Sequence, residues 1–140
     1  MSTDRRLPVL PAPSPPSSWN AGPPAVRAAV QKLPGGVRVV RLAGEIDHDG
    51  SEPVRRTLDR ALQAPPPLLV LDLAGVAFCD VAGLNLLLHT REAARRANVR
   101  LVLAGPRPQL LRLLEAAGVE QAFAVRDTVA AALADRRGPG

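Results

Sequence analysis

The stretch LDLAGVAFCDVAGLNLLLH, residues 71–89, reads as the end of a buried strand, a turn, and the start of a leucine-rich helix. Its upstream part belongs to the apolar run LLVLDL, which has the length and composition of a central strand covered on both faces. Downstream, a helix from about Gly83 to Ala97 is expected. Between the two, Asp80 is placed to accept from free N–H groups of the helix's first turn. Gly83 fits a point where the chain passes close to a neighbour at the helix start. Only Val81 and Ala82 stand between them, where a reactive side chain would be looked for.

Working outward, AVRAAVQKLPGGVRVVRLAGEID predicts strands over residues 26–32 and 37–42, joined by a turn at Pro34, Gly35 and Gly36. The first is the weaker strand signal, because its alanines suit a helix equally well. Ser51 is expected to cap a first helix, with Glu52 and Pro53 in its first turn, and Val54, Leu58, Ala61 and Leu62 on one face. Pro65, Pro66 and Pro67 end it. VRLVLAG is a further strand. PRPQLLRLLEAAGVE is a helix with Leu110, Leu111, Leu114 and Ala117 at core spacing and Gly118 as a left-handed C-cap. A short strand, AFAV, leads to Asp127, expected to cap a last helix running through Leu133. The order β-β-α-β-α-β-α-β-α argues for an α/β layer domain whose sheet is mostly parallel after an opening hairpin.

Residues 1–24 carry seven prolines among Ser, Ala and Gly, a composition that cannot bury enough apolar surface to offset its ordering entropy. A disordered tail is expected there, followed by one domain over 25–135 and a short flexible end at 136–140. The tail's prolines also interrupt any apolar stretch before a signal-peptide core forms, and the longest runs without a charge or a proline are about ten residues, roughly half of what a membrane helix needs. With Cys79 as the single cysteine, no intrachain disulfide forms, and a cytoplasmic location is expected.

The net charge of +5 invites a nucleic-acid reading, so where the charge lies matters. Residues 37–135 hold twelve Arg and twelve Asp or Glu; the excess is +3 in residues 1–36 and +2 at Arg136 and Arg137. The globular part therefore has no net field toward a phosphate backbone. Trp19, Phe78 and Phe123 are the only aromatics, too few to make stacking platforms. No nucleic-acid or membrane partner is expected.

Several chemical readings fail on spacing. Glu45, Asp47, Asp49 and Gly50 mimic the opening of a calcium loop, but position twelve, where a bidentate carboxylate is needed, is Arg56. Acidic residues at a strand end before a helix N-terminus explain them better. His48, His89 and Cys79 lack the close spacing of a zinc site, and a cysteine nucleophile needs a base and an orienting group that the sequence does not supply. AGPRP lacks the glycine cluster and lysine of a phosphate loop. A phosphoaccepting receiver domain would need a lysine after its last strand, but Lys32, the only lysine, lies near the beginning, and Asp72 falls inside a strand. No cofactor, metal or catalytic group is implied.

The turn CDVAGL and its surroundings resemble the STAS domain family, typified by bacterial anti-sigma factor antagonists. The family's Asp-Ser-(Ser or Ala)-Gly-Leu turn is matched by Asp80, Val81, Ala82, Gly83 and Leu84, and its Gly-Glu-hydrophobic-Asp motif by Gly44, Glu45 and Asp47. The likeness continues through LLVLDLAGVAFCD, VRLVLAGPRPQLLRLLEAAGV and DTVAAAL, covering roughly residues 25–135. It implies a mixed β-sheet with amphipathic helices packed mainly on one face. It also implies a non-enzymatic protein that docks on an anti-sigma factor, often one with a histidine-kinase-like ATPase fold, as a monomer or weak homodimer. In regulated members the partner phosphorylates the first Ser after the Asp; here that residue is Val81, and Ala82 beside it has no hydroxyl either. Asp47, Asp80, Val81, Ala82, Gly83, Leu84, Asn85 and Leu88 are the expected partner-binding residues.

Two further roles remain open at this point: a scaffold subunit in a signalling or lipid-transport complex, and a small-molecule or nucleotide sensor. The second helix adds one hint of its own. At about 100° per residue, Leu84, Leu86, Leu87 and Leu88 do not fit one stripe facing the sheet. Leu86 or Leu88 is therefore expected to point outward beside Asn85 or His89.

Overall fold

The structure is a computed structural model that describes residues 26–134; the proline-rich segment and the last six residues lie outside the described residues. In chain order the elements are β1 (Val26–Lys32), a 3-10 turn (Pro34–Gly36), β2 (Arg38–Ile46), α1 (Ser51–Ala61), β3 (Leu68–Cys79) and α2 (Val81–Arg96). Then follow β4 (Arg100–Ala104), α3 (Pro108–Ala116), a second 3-10 turn (Glu120–Ala122), β5 (Ala124–Arg126) and α4 (Val129–Ala134). The sheet order is β1-β2-β3-β4-β5. β1 pairs antiparallel with β2 across the Pro-Gly-Gly turn, and the other pairs are parallel because a helix crosses between each.

Strand periodicity divides the core in two. Val40 and Leu42 of β2, Leu69, Leu71 and Leu73 of β3, and Leu103 of β4 pack in one cluster with Val54 and Leu58 of α1, Leu84 and Leu87 of α2, and Leu110 and Leu114 of α3. Val39, Val70, Val102 and Ala104 face the other way and pack with Ala132 of α4. Three helices thus share one face, and the short α4 covers part of the other. Leu68 to Leu71 are all buried, as a strand covered on both faces requires.

Several local expectations are revised. β2 reaches Ile46 and β3 reaches Cys79, both beyond the apolar runs that announced them, because the pair continues through two register shifts to Ile46 opposite Cys79. α1 does begin at Ser51, but its N-cap is Gly50 and no side chain caps it. The Ser51 hydroxyl donates instead to the His48 carbonyl at 3.2 Å. α2 begins at Val81, two residues before the expected Gly83, because Asp80 is its cap. α4 is capped by Thr128, whose Oγ1 accepts from the Ala131 N–H at 3.0 Å, and not by Asp127. Gly118 takes the expected left-handed conformation, φ 74°, at the end of α3.

The second-helix leucines also differ from expectation. Leu86 is 4% exposed and Leu88 is half-buried against the core. α2 packs against α1 as well as the sheet, so its apolar arc is wider than a single stripe.

Candidate functional site

The ends of β2 and β3 lie side by side, and the loops leaving them build one surface. The Asp80 N–H donates to the Ile46 carbonyl at 3.2 Å, tying the start of α2 to the last residue of β2. Asp80 Oδ1 accepts from the Gly83 N–H at 3.1 Å, and its own carbonyl accepts from the Leu84 N–H at 2.9 Å. The carboxylate thereby satisfies a donor that has no helical partner and sits at the positive end of the α2 dipole. On the neighbouring loop, Asp47 Oδ1 accepts from the Gly50 N–H at 2.9 Å, which closes the turn into α1.

Gly83 is fixed by contact. A Cβ at this position would lie 2.5 Å from Cys79 Sγ, 2.7 Å from the Ile46 carbonyl oxygen and 2.9 Å from Ile46 Cγ2. No side chain fits there, so α2 can start this close to β2 only with glycine.

The sequence-predicted residues therefore separate by role. Val81 and Asn85 are exposed, Val81 by 64%, and Ala82 is partly so. Asp47 and Asp80 are half-buried and spend their carboxylates on the backbone. Gly83 and Leu84 face inward, and Leu88 lies half-buried one turn further along. Ala82, Asn85, Leu86 and His89 line a shallow cleft whose opposite wall is Ser51, Glu52 and Arg55 of α1.

The thiol and imidazoles occupy unrelated places. Cys79 is fully buried, its Sγ lies 3.5 Å from the Asp80 carbonyl, and burial together with the Asp80 carboxylate pushes its pKa up to about 11. A thiol so held is a packing group, not a nucleophile. His89 Nε2 lies 3.3 Å from Asp59 Oδ1, linking α2 to α1, while His48 is exposed in the loop before α1. Among the described residues no three His, Cys, Asp or Glu side chains converge as a metal site, and no helix is long and apolar enough to cross a membrane.

Phe78 and Gln109, beside this surface, carried no recognisable signal, and one core expectation on α3 is overturned. Phe78 is 44% exposed just before the turn, although it sits in an apolar stretch that reads as core. Leu111, placed at core spacing on α3, is 42% exposed. Gln109 reaches back from α3 to the Cys79 backbone, with Oε1 accepting from its N–H and Nε2 donating to its carbonyl, both at 2.9 Å.

Comparison with known proteins identifies the family and the fold. The family model described as "STAS domain" matches residues 28–132. The chain is 31% identical over 101 residues to an anti-sigma F factor antagonist from Paenibacillus polymyxa, covering 71% of this chain and 86% of that protein. The crystal structure of an anti-sigma factor antagonist from Mycobacterium paratuberculosis superposes with a TM-score of 0.75 at 27% identity, covering 83% of this chain and 97% of the other. The unphosphorylated form of the anti-sigma factor antagonist SpoIIAA shares the fold, with a TM-score of 0.69 at 21% identity over 81% of this chain and 99% of its own. The chain belongs to the STAS domain family. Among the described residues, its five-stranded mixed sheet with four helices is the fold of the anti-sigma factor antagonists in that family.

Proposed function

We propose that this chain is an anti-sigma factor antagonist that docks on an anti-sigma factor through the turn at Val81, and that it does so without a phosphoswitch at that turn. The general role rests on relatives that carry that name at 31% and 27% identity. The specific reading rests on one observation: the first residue of α2, where regulated members of the family carry the phosphorylated Ser, is a valine that is 64% exposed.

The physical argument concerns what a phosphate would change. A phosphoserine adds about −1.5 to −2 charges and three acceptor oxygens. At an exposed position in the middle of a docking surface, that charge and bulk oppose association. Val81 resembles Thr in shape, has no hydroxyl to modify, and leaves an apolar surface that excludes water from a matching partner patch. The exposed Phe78, three residues earlier, is the kind of side chain that anchors such a contact. Asp47, Asp80, Gly83, Leu84 and Leu88 set the backbone beneath it, while Val81, Ala82 and Asn85 face the partner. The partner is an anti-sigma factor with a histidine-kinase-like ATPase fold, met in the cytoplasm, and the role is binding, not catalysis.

The test is incubation with a kinase-type anti-sigma factor and ATP. The chain should stay unmodified and bound, while Val81→Asp should weaken the complex. Efficient phosphorylation at the turn, or unimpaired binding by Val81→Asp, would refute the reading.

A further inference from the structure

β3 is twelve residues long, but β4 accompanies it only from Leu68 to Asp72. Beyond that point, among the described residues, the strand keeps one ladder partner, β2, which pairs with it to Cys79. On the side β4 has left, the backbone from Ala74 to Cys79 leads to the Val81 turn as a sheet edge. Such an edge carries N–H and C=O groups that need partners.

Two side chains from the beginning of α3 supply partners there. Arg107 Nε donates to the Ala74 carbonyl at 2.8 Å. Further along, the Gln109 amide accepts from the Cys79 N–H and donates to the Cys79 carbonyl, both at 2.9 Å. This two-bond exchange has the pattern of a strand neighbour, made by a side chain 30 residues away in sequence. Cys79 is also the residue opposite Ile46 in the β2 ladder, so its peptide is held from both sides immediately before the α2 cap.

We infer that Gln109 is a positioning residue for the docking surface: it fixes the Cys79 peptide, and through it the direction in which Asp80 and Val81 leave the sheet. The inference rests on the docking role proposed above, but the clamp itself is measurable without a partner. A carboxamide is uniquely suited to it, since one planar group offers an acceptor and a donor at the spacing of a backbone peptide. Leucine keeps the approximate volume and loses both bonds. Glutamate keeps the length and the acceptor but loses the donor.

The experiment is amide hydrogen exchange on the free full chain, comparing wild type with Gln109→Leu and Gln109→Glu. Gln109→Leu should speed exchange at Cys79 by about tenfold or more, the scale set by losing two hydrogen bonds. The Gly83 and Leu84 amides should speed up with it, while the Leu71 amide, in the part of β3 flanked by two strands, keeps its protection. Gln109→Glu should fall between the two, because its carboxylate still accepts from the Cys79 N–H. Binding to a kinase-type anti-sigma factor should weaken in the same order.

Acceleration confined to Cys79, with the turn amides and the affinity unchanged, would reduce Gln109 to a local stitch and overturn the inference. Unchanged exchange at Cys79 in Gln109→Leu would overturn it as well. If the wild-type chain binds no anti-sigma factor, the docking role fails, and the exchange pattern still decides the clamp.

Discussion

The α-carbon of Gly83 is packed so tightly against β2 that a Cβ would lie 2.7 Å from the Ile46 carbonyl oxygen. The obstruction on that side is backbone, and the Cys79 sulfur closes another at 2.5 Å. Gly83→Ala sets two effects against each other: alanine favours a helix over glycine by up to about 1 kcal/mol, whereas forcing atoms into a packed site costs about 1–3 kcal/mol. The contacts are too close for the propensity gain to win. Gly83→Ala is expected to lower the thermal midpoint by several degrees, read by calorimetry or circular dichroism.

The capping assignments make a paired prediction. Asp80→Ala removes the acceptor for the Gly83 N–H and should cost about 1 kcal/mol, within the usual range of about 0.5–2 for a lost N-cap. Asp80→Asn should recover most of it, since asparagine caps comparably. Ser51→Ala, at the residue that the sequence suggests as the cap of α1, should change stability by less than about 0.5 kcal/mol, because the hydroxyl only donates to the His48 carbonyl. Denaturant unfolding of the three variants would distinguish this from a serine-capped α1.

Cys79 gives the chain a pH dependence of defined sign. Its folded-state pKa is raised from 9.0 to about 11 by burial and by Asp80, so the folded state holds a proton that the unfolded state releases. The associated stability is fully present below pH 9 and is lost as pH rises toward about 11. With no tyrosine and one lysine in the sequence, few other side chains titrate in that window. Unfolding free energy should therefore fall over this interval in the wild type and fall less in Cys79→Ala. Native Cys79 should also resist alkylation near neutral pH and react readily once the chain is unfolded.

Much of the fold is legible in the sequence because strand and helix periods alternate cleanly. LLVLDL has no polar face and must be central; Val54, Leu58 and Ala61 repeat at helical spacing; Gly118 ends α3 where a left-handed residue is required. What stays hidden depends on long-range contact. β3 outlasts its apolar run because β2 accompanies it to Cys79. Leu86 is covered because α1 lies over α2, and the length of α1 alone does not reveal that. Phe78 looks like core but surfaces beyond a register shift that no local pattern announces. Gln109 is a polar residue in an amphipathic helix until the fold brings it to Cys79. Asp80 and Gly83 were readable because capping and close approach are local demands, and their partners in β2 were not.

The central claim concerns Val81, and Val81→Ser tests it most directly beside the wild type. Both chains are incubated with a kinase-type anti-sigma factor and ATP, then followed by mass and by retention in the complex. Residue 81 is exposed at the first position of α2, where serine is tolerated, so the substitution should leave the fold intact. The expected result is that the wild type gains no phosphoryl group and stays bound, while Val81→Ser is phosphorylated at the turn and released. Phosphorylation and release of the wild type, or binding by Val81→Ser that ATP does not affect, would contradict the account.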